Sequence, residues 1–259
     1  MEFRPKKNLG QNFLINDEIN LQIAKLGCIT ENDMVLEIGP GTGNLTKYIL
    51  NEKPNKLILV EKDNNLSTNL KEKFEDIQII NEDFLQISEA KLNLINPIVY
   101  GNLPYNISSQ ILIKLIKLST TKFKRLILMF QKEMADRILA NTNSKEYGRL
   151  SIISQWKMNI TKIRDIEPKF FRPVPKVKSS LLIFEPKKEY FKLKNIKNLE
   201  FVTNTFFNYR RKMIKKPLNQ LFKNLEYIAK KYELNLSDRP QRLSPTVYYQ
   251  LSNELESLR

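Results

Sequence analysis

The chain has 259 residues, with 43 Lys and Arg against 28 Asp and Glu, one Cys and no His. That length suits one large domain or a core domain with a small appendage, and the net charge of +15 points first to a polyanionic partner. The absent His excludes a Ser-His-Asp triad, a Cys-His pair and His-ligated zinc or haem, and a lone Cys28 excludes an internal disulfide, a Cys-cluster zinc site and an iron–sulfur cluster. An all-carboxylate Mg²⁺ site is the arrangement left open, and no metal is expected. Part of the charge reflects a general enrichment in Lys. No apolar run is long enough to span a bilayer. The N-terminal charges are followed by no apolar stretch of signal-peptide type, so a cytoplasmic protein is expected.

In chain order, residues 17–27 place Ile19, Ile23 and Leu26 on one face and end in Gly27, which predicts an amphipathic helix with a glycine cap. Strands are expected at 34–38, 56–61, 77–81, 98–102 and 125–131. Helices are expected at 44–51, 65–75, 108–118 and 132–140. Strands this apolar are buried on both faces, so the pattern predicts a parallel sheet flanked by helices. Runs at 151–158 and 180–184 are read as antiparallel edge strands. After Pro186 the periods become helical: Phe201, Thr205 and Phe206 share one face, and Leu218, Leu221, Phe222 and Leu225 another. Ser244-Pro245 reads as a helix cap followed by a first-turn proline. Two domains are therefore expected, 1–186 and a small all-α domain at 187–259. Residues 1–180 carry a net +7 and residues 181–259 a net +8, so the smaller part is the more basic per residue.

Three of the seven glycines stand at Gly39, Gly41 and Gly43, between a predicted strand and a helix. Such a loop lets backbone approach a ligand and aims helix N–H groups at it. Glu61 closes the next strand, where a carboxylate can accept both ribose hydroxyls of an adenosine. Asp83 follows the third, placed to accept an adenine amine. The glycine spacing is not the G-x-G-x-x-G that seats a pyrophosphate, so S-adenosylmethionine (SAM) fits better than a dinucleotide. Asn102-Leu103-Pro104-Tyr105 ends the fourth strand. Pro104 holds Leu103 extended, so the Leu103 carbonyl and the Asn102 side-chain oxygen make two converging acceptors for an exocyclic adenine amine. Tyr105 adds a flat face for a base. Methyl transfer to such an amine needs no imidazole base; positioning and electrostatics suffice.

These residues carry a resemblance. With Lys6–Leu14, Glu37–Gly43, Asn102–Ser108, Gln131–Arg137, Tyr147–Ser151, Phe171–Val177, Arg210–Lys212, Arg239-Pro240 and Leu243-Ser244, the chain resembles, nearly end to end, the ribosomal RNA adenine dimethyltransferases, specifically the KsgA type acting on small-subunit RNA. The resemblance implies a Rossmann-like SAM-dependent methyltransferase domain, with a mostly parallel seven-stranded sheet, and a small all-α C-terminal domain. It implies dimethylation of N6 on two adjacent adenosines in the 3′-terminal hairpin loop of 16S rRNA, within the small ribosomal subunit. It implies SAM contacts at Asn12, Leu14, Gly39, Gly41, Glu61, Asp83 and Asn102. It also implies a target-base site of Asn102, Leu103, Pro104 and Tyr105, with Phe171 stacked on the base's other face. Lys178 stands where the family usually has Asp and reads as a solvated charge. The Erm type, which modifies 23S RNA, more often has Asn-Ile-Pro-Tyr, and Ser where Pro40 stands here.

For the RNA, basic residues recur at Arg4, Lys6, Lys7, Lys176 and Lys178. They recur again from Arg210 and Arg211 through Lys212, Lys215 and Lys216, beside Phe206, Phe207 and Tyr209. On a helix that second run would form a cationic stripe for phosphates, with Phe206 and Phe207 in the core. Arg4, Lys6, Lys7, Arg210, Arg211 and Lys212 are the expected RNA contacts, and a monomer is expected. The other readings are a ribosome-assembly factor whose methylation is secondary and, more weakly, a nucleotide-dependent oxidoreductase.

Overall fold

The structure is a computed structural model that describes residues 10–118 and 123–257. The chain divides into two compact units, Met1–Ala135 with Asn159–Pro186, and Asp136–Met158 with Lys187–Arg259.

The first unit is built on strands that are mostly apolar. These are β2 (Met34–Ile38), β3 (Lys56–Val60), β4 (Gln78–Ile80), β5 (Ile98–Asn102) and β6 (Arg125–Gln131). Val35, Leu36, Leu59, Ile98, Val99, Leu126 and Leu128 are fully buried, as expected of a sheet covered on both faces. The seven strands lie in the order β4-β3-β2-β5-β6-β9-β7. Strands β4 to β6 run parallel, and β9 (Ser179–Pro186) pairs antiparallel with β6. Strand β7 (Met158–Ile166) forms the edge. Strand order reverses between β2 and β5, which opens a crevice at their carboxyl ends. The flanking helices are α1 (Asp17–Lys25), α2 (Thr46–Asn51), α3 (Asn64–Lys73), α4 (Glu89–Leu92) and α5 (Ser108–Lys117). Each of α1, α3 and α4 begins with a side-chain cap, from Asn16, Asp63 and Ser88 in turn. Apart from the sheet, β1 (Phe13–Leu14) pairs antiparallel with β8 (Phe171–Arg172), setting Leu14 opposite Phe171. Helix α6 (Lys132–Leu139) leads from this unit into the other.

The second unit packs α7 (Arg149–Lys157), α8 (Ile196–Asn208), α9 (Lys215–Leu221), α10 (Leu225–Lys231) and α11 (Pro245–Ser257) around aromatic rings. Phe206 and Phe207 both meet Tyr248, and Phe207 also meets Tyr147 edge-on. The buried hydroxyls are satisfied by backbone carbonyls: Tyr147 by Leu243 at 3.0 Å, Tyr248 by Pro240 at 2.6 Å and Tyr249 by Ile152 at 2.9 Å.

Three expectations are corrected here. Residues 151–157 are part of helix α7, and the edge strand is the following β7, which begins at Met158. Ser151, Ile152, Ile153, Ser154 and Trp156 are all buried, so the segment is enclosed on nearly every side and its sequence shows no amphipathic period. The cut at 186 is one of several crossings, because Asp136–Met158 belongs with the C-terminal helices. Its Tyr147 and α7 supply part of their core. Phe201 is half exposed, unlike its expected partners Thr205 and Phe206. Among the described residues no helix is long and apolar enough to cross a membrane, and no group of three or more acidic or Cys residues could hold a metal ion.

One close packing positions α1 against the sheet. The Tyr100 hydroxyl donates to the Ala24 carbonyl at 2.6 Å, and a Cβ on Gly27 would stand 1.9 Å from that hydroxyl oxygen. Gly27→Ala is expected to cost about 1–3 kcal/mol in urea unfolding. The double variant with Tyr100→Phe should lose less than the two single losses together.

Candidate active site

The reversal of strand order gathers the ends of four strands around one cleft of about 160 Å³. Its lining includes Asn12, Gly39, Gly41, Glu61, Asp83, Asn102, Leu103, Pro104 and Tyr105. Gly39 and Gly41 follow β2 with φ of +68° and +59°, a left-handed region that favours glycine. A Cβ on Gly41 would come within 2.6 Å of the Phe13 ring, whereas one on Gly39 would enter open space.

Glu61 organises the glycine side. Its Oε2 accepts the Gly41 N–H at 3.1 Å and its Oε1 the Asp63 N–H at 2.9 Å. Burial raises its pKa, against these two backbone donors. Asp83 is the opposite case. Burial opposes its ionisation, but the Lys62 ammonium at 2.9 Å and the Leu85 N–H outweigh it and hold the carboxyl below its usual range.

On the β5 side, Asn102 donates its Nδ2 to the Asn12 carbonyl at 2.8 Å. That bond fixes the amide's orientation and leaves Oδ1 as an acceptor. The Tyr105 hydroxyl shares a 2.7 Å hydrogen bond with Ser179, which is fully buried. The ring is thereby tethered at its far end while lining the cleft.

A second cavity of about 30 Å³ adjoins through Phe13, Gly39 and Asn102, and is also lined by Leu14, Asn20, Glu37 and Asn44. Asn20 is buried, and its Oδ1 has no hydrogen-bond partner. Glu37 accepts the Thr46 hydroxyl at 2.7 Å, yet burial pushes its carboxyl up to about 7.

One expected contact lies elsewhere. The β1–β8 ladder turns Leu14 and Phe171 inward together, and both join the apolar core. Phe171 is fully buried and does not line the cleft, so it presents no face to a base. Leu14 also lines the smaller cavity, which it shares with Asn20 and Gly39, so it stays beside the cofactor side of the site. Phe13, one residue earlier and on the other side of the strand, is the ring that lines both cavities. Asn20, Phe84 and Ser179 were also missed; a lone polar or aromatic residue inside an apolar stretch is the only signal each offers.

The basic residues fall into four groups. Arg4, Lys6 and Lys7 lie outside the described residues. Arg210 is occupied within its own unit: its guanidinium donates to the Tyr147 carbonyl at 2.7 Å and to the Lys145 carbonyl, and stacks 5.8 Å from the Phe207 ring. It secures the 144–147 loop. Arg211 and Lys212 are exposed, on the turn between α8 and α9 rather than on a helix. Lys178 pairs with Glu167 at 2.6 Å, both side chains about half exposed.

Glycine loop, strand-end acidic residues and switch-point cleft together define a Rossmann-like methyltransferase that uses SAM. The residues present fit that cofactor, since Gly39 leaves open space and Asn20 Oδ1 is an orphaned acceptor. The chain matches the Ribosomal RNA adenine dimethylase family over residues 2–257, and it belongs to that family. It is 54% identical, over the whole of both chains, to Ribosomal RNA small subunit methyltransferase A of Pelagibacter ubique (strain HTCC1062). The protein of that name from Wolbachia sp. subsp. Drosophila simulans (strain wRi) is 40% identical over 98% of this chain and 95% of its own. Among solved structures, a dimethyladenosine transferase from Plasmodium falciparum superposes with a TM-score of 0.77 at 27% identity, covering 95% of this chain and 98% of that one. The 23S rRNA methyltransferase ErmE shares the fold, with a TM-score of 0.68 at 22% identity over 94% of this chain and 99% of its own.

A pH dependence follows from Glu37. Its folded pKa of about 7 lies above the ordinary carboxylate value of 4.5, so the neutral form is favoured by folding. The contribution is fully present below the unfolded pKa and is lost as pH rises through 7. Glu37→Gln keeps an acceptor for Thr46 and cannot ionise. The stability gap between pH 5 and pH 8 in denaturant titrations should therefore shrink in the variant, by an amount on the order of 3 kcal/mol.

Proposed function

We propose that this chain uses SAM to dimethylate N6 of two adjacent adenosines in the 3′-terminal hairpin loop of 16S rRNA, in the small ribosomal subunit. The observation that carries this reading is the fixed Asn102 amide, whose oxygen is left as an acceptor in the same cleft as Glu61 and Asp83. SAM, when bound, supplies a methyl group carried on a positively charged sulfur. Glu61 and Asp83 would hold its ribose and adenine, and Asn20 with Gly39 and Gly41 its polar tail. Asn102 Oδ1 and the Leu103 carbonyl accept the two N–H bonds of the target amine. This draws the nitrogen lone pair out of ring conjugation and aims it at the methyl carbon. Tyr105, tethered by Ser179, offers its face to the base. No side chain has to take the proton, which passes to water, in keeping with a chain that contains no His. Rate then comes from position and electrostatics.

Phosphate contacts are assigned to Arg211 and Lys212 in the helical unit, and to Arg4, Lys6 and Lys7 near the N-terminus. The protein is read as a cytoplasmic monomer that needs no metal, acting on small-subunit particles during their biogenesis.

The direct test is incubation with labelled SAM and unmethylated small subunits, followed by mapping of the modified nucleotides. Label on the two 3′-terminal loop adenosines is the expected result; label on large-subunit RNA alone would overturn it. Asn102→Ala should lower the single-turnover rate by roughly 10²–10³-fold, the scale for losing one preorganised polar contact to the reacting group, while particle binding persists. Replacing Arg211 and Lys212 together by Ala should weaken particle binding and flatten its salt dependence, with SAM affinity unchanged. Equal loss of both affinities would remove these residues from the RNA surface.

A further inference from the structure

The mechanism leaves one semi-buried cation beside the cleft unused. Lys114 lies on α5, whose Ile111, Leu112, Leu115 and Ile116 are buried. Its ammonium donates to the carbonyls of Phe84 and Ile87, each at 2.5 Å, and stands 5.0 Å from the centre of the Phe84 ring. Those carbonyls belong to the loop after β4, and Phe84 and Asp83 both line the cleft. The loop is also tied by the Lys62–Asp83 and Lys91–Glu82 ion pairs, by the Leu85 N–H to the Asp83 carboxylate and by the Gln86 N–H to the Asp83 carbonyl at 2.8 Å. Ile87 also donates to the Phe84 carbonyl, at a longer 3.4 Å.

Helix α5 starts at the target-base motif. The Ile107 N–H donates to the Pro104 carbonyl at 3.1 Å, and the Ser108 hydroxyl to the Tyr105 carbonyl at 3.2 Å. Lys114 sits six residues beyond Ser108, about 9 Å along the helix. One rigid element therefore joins the residues facing the RNA base to the wall facing the cofactor's adenine. Lysine suits the task, since a compact ammonium with three donors can serve two converging carbonyls, and its charge also reaches a ring face. Burial lowers its pKa, a cost that a purely solvent-facing lysine would not carry.

We propose that Lys114 is a positioning residue for cofactor selectivity: it holds the Asp83–Phe84 wall in register with α5, so that the cleft distinguishes an adenine from other purine bases. This rests on the reading of the cleft as a SAM site. Lys114 touches neither cofactor nor target base; it acts through the loop.

The test compares binding of S-adenosylhomocysteine and S-inosylhomocysteine to the full-length protein by calorimetry. The two ligands differ at the purine 6-position, an amine in one and an oxo group in the other. Wild type should prefer the adenosyl ligand. Lys114→Met should reduce that preference at least about fivefold, within the range for a misplaced polar contact, and raise KM for SAM more than it lowers kcat. Lys114→Arg, which keeps the donors and the charge, should restore the preference. A general loss of stability would weaken both ligands together, so an unchanged ratio in Lys114→Met overturns the inference. If that variant fails to fold, Lys114→Leu, which likewise has no donor, carries the same comparison with the same consequence. Wild type that binds neither ligand would instead defeat the SAM reading on which the inference stands.

Discussion

Much of the site hangs on the buried carboxylate of Glu61. Its two oxygens each accept a backbone N–H, one from the glycine loop after β2 and one from the start of α3. Asp63, whose N–H is one of those donors, in turn caps α3 through Asn65 and Leu66. A single side chain thus closes a loop, begins a helix and lines a cleft. Burying it costs free energy, which two backbone donors only partly offset. The cost is understandable where the carboxylate has further hydrogen bonds to accept, and each oxygen retains capacity for one.

The same logic recurs on the opposite wall. Asn102 and Tyr105 each spend one polar end on the protein, on the Asn12 carbonyl and the Ser179 hydroxyl. The remaining end is held toward the cleft. Side chains anchored in this way lose little freedom when a ligand arrives, which is the source of the positioning that the chemistry requires.

Most of the sheet was legible because its strands are largely apolar runs of strand length. The bounds of β2, β5 and β6 match the sequence reading residue for residue. Parallel strands send their carboxyl ends to one edge, so residues following successive strands had to meet there. That is why Gly39, Glu61, Asp83 and Asn102 could be grouped from sequence. What was not legible depends on partners far away in the chain. Leu14 and Phe171 turn inward because two short strands pair across most of the first unit. Arg210 looked like a free cation because the carbonyls it serves lie more than sixty residues earlier. Lys114 resembles any surface lysine of an amphipathic helix until the loop beneath it is seen. The sequence of helix α7 reads as a strand because enclosure on nearly every side erases the period that marks a helix.

The way the chain passes between the two units has a consequence for how such a protein can be divided. It leaves the first unit within α6, returns at the start of β7, and leaves again after β9. The helical unit is therefore not a tail that a single splice could graft onto another methyltransferase or delete from this one. Residues 187–259 on their own would lack α7 and Tyr147 and would bare the rings of Phe207, Tyr248 and Tyr249 to water. The excised first unit would have to bridge a gap between Ala135 and Asn159. With three crossings between the units, recombination at one boundary cannot exchange one unit without breaking into the other.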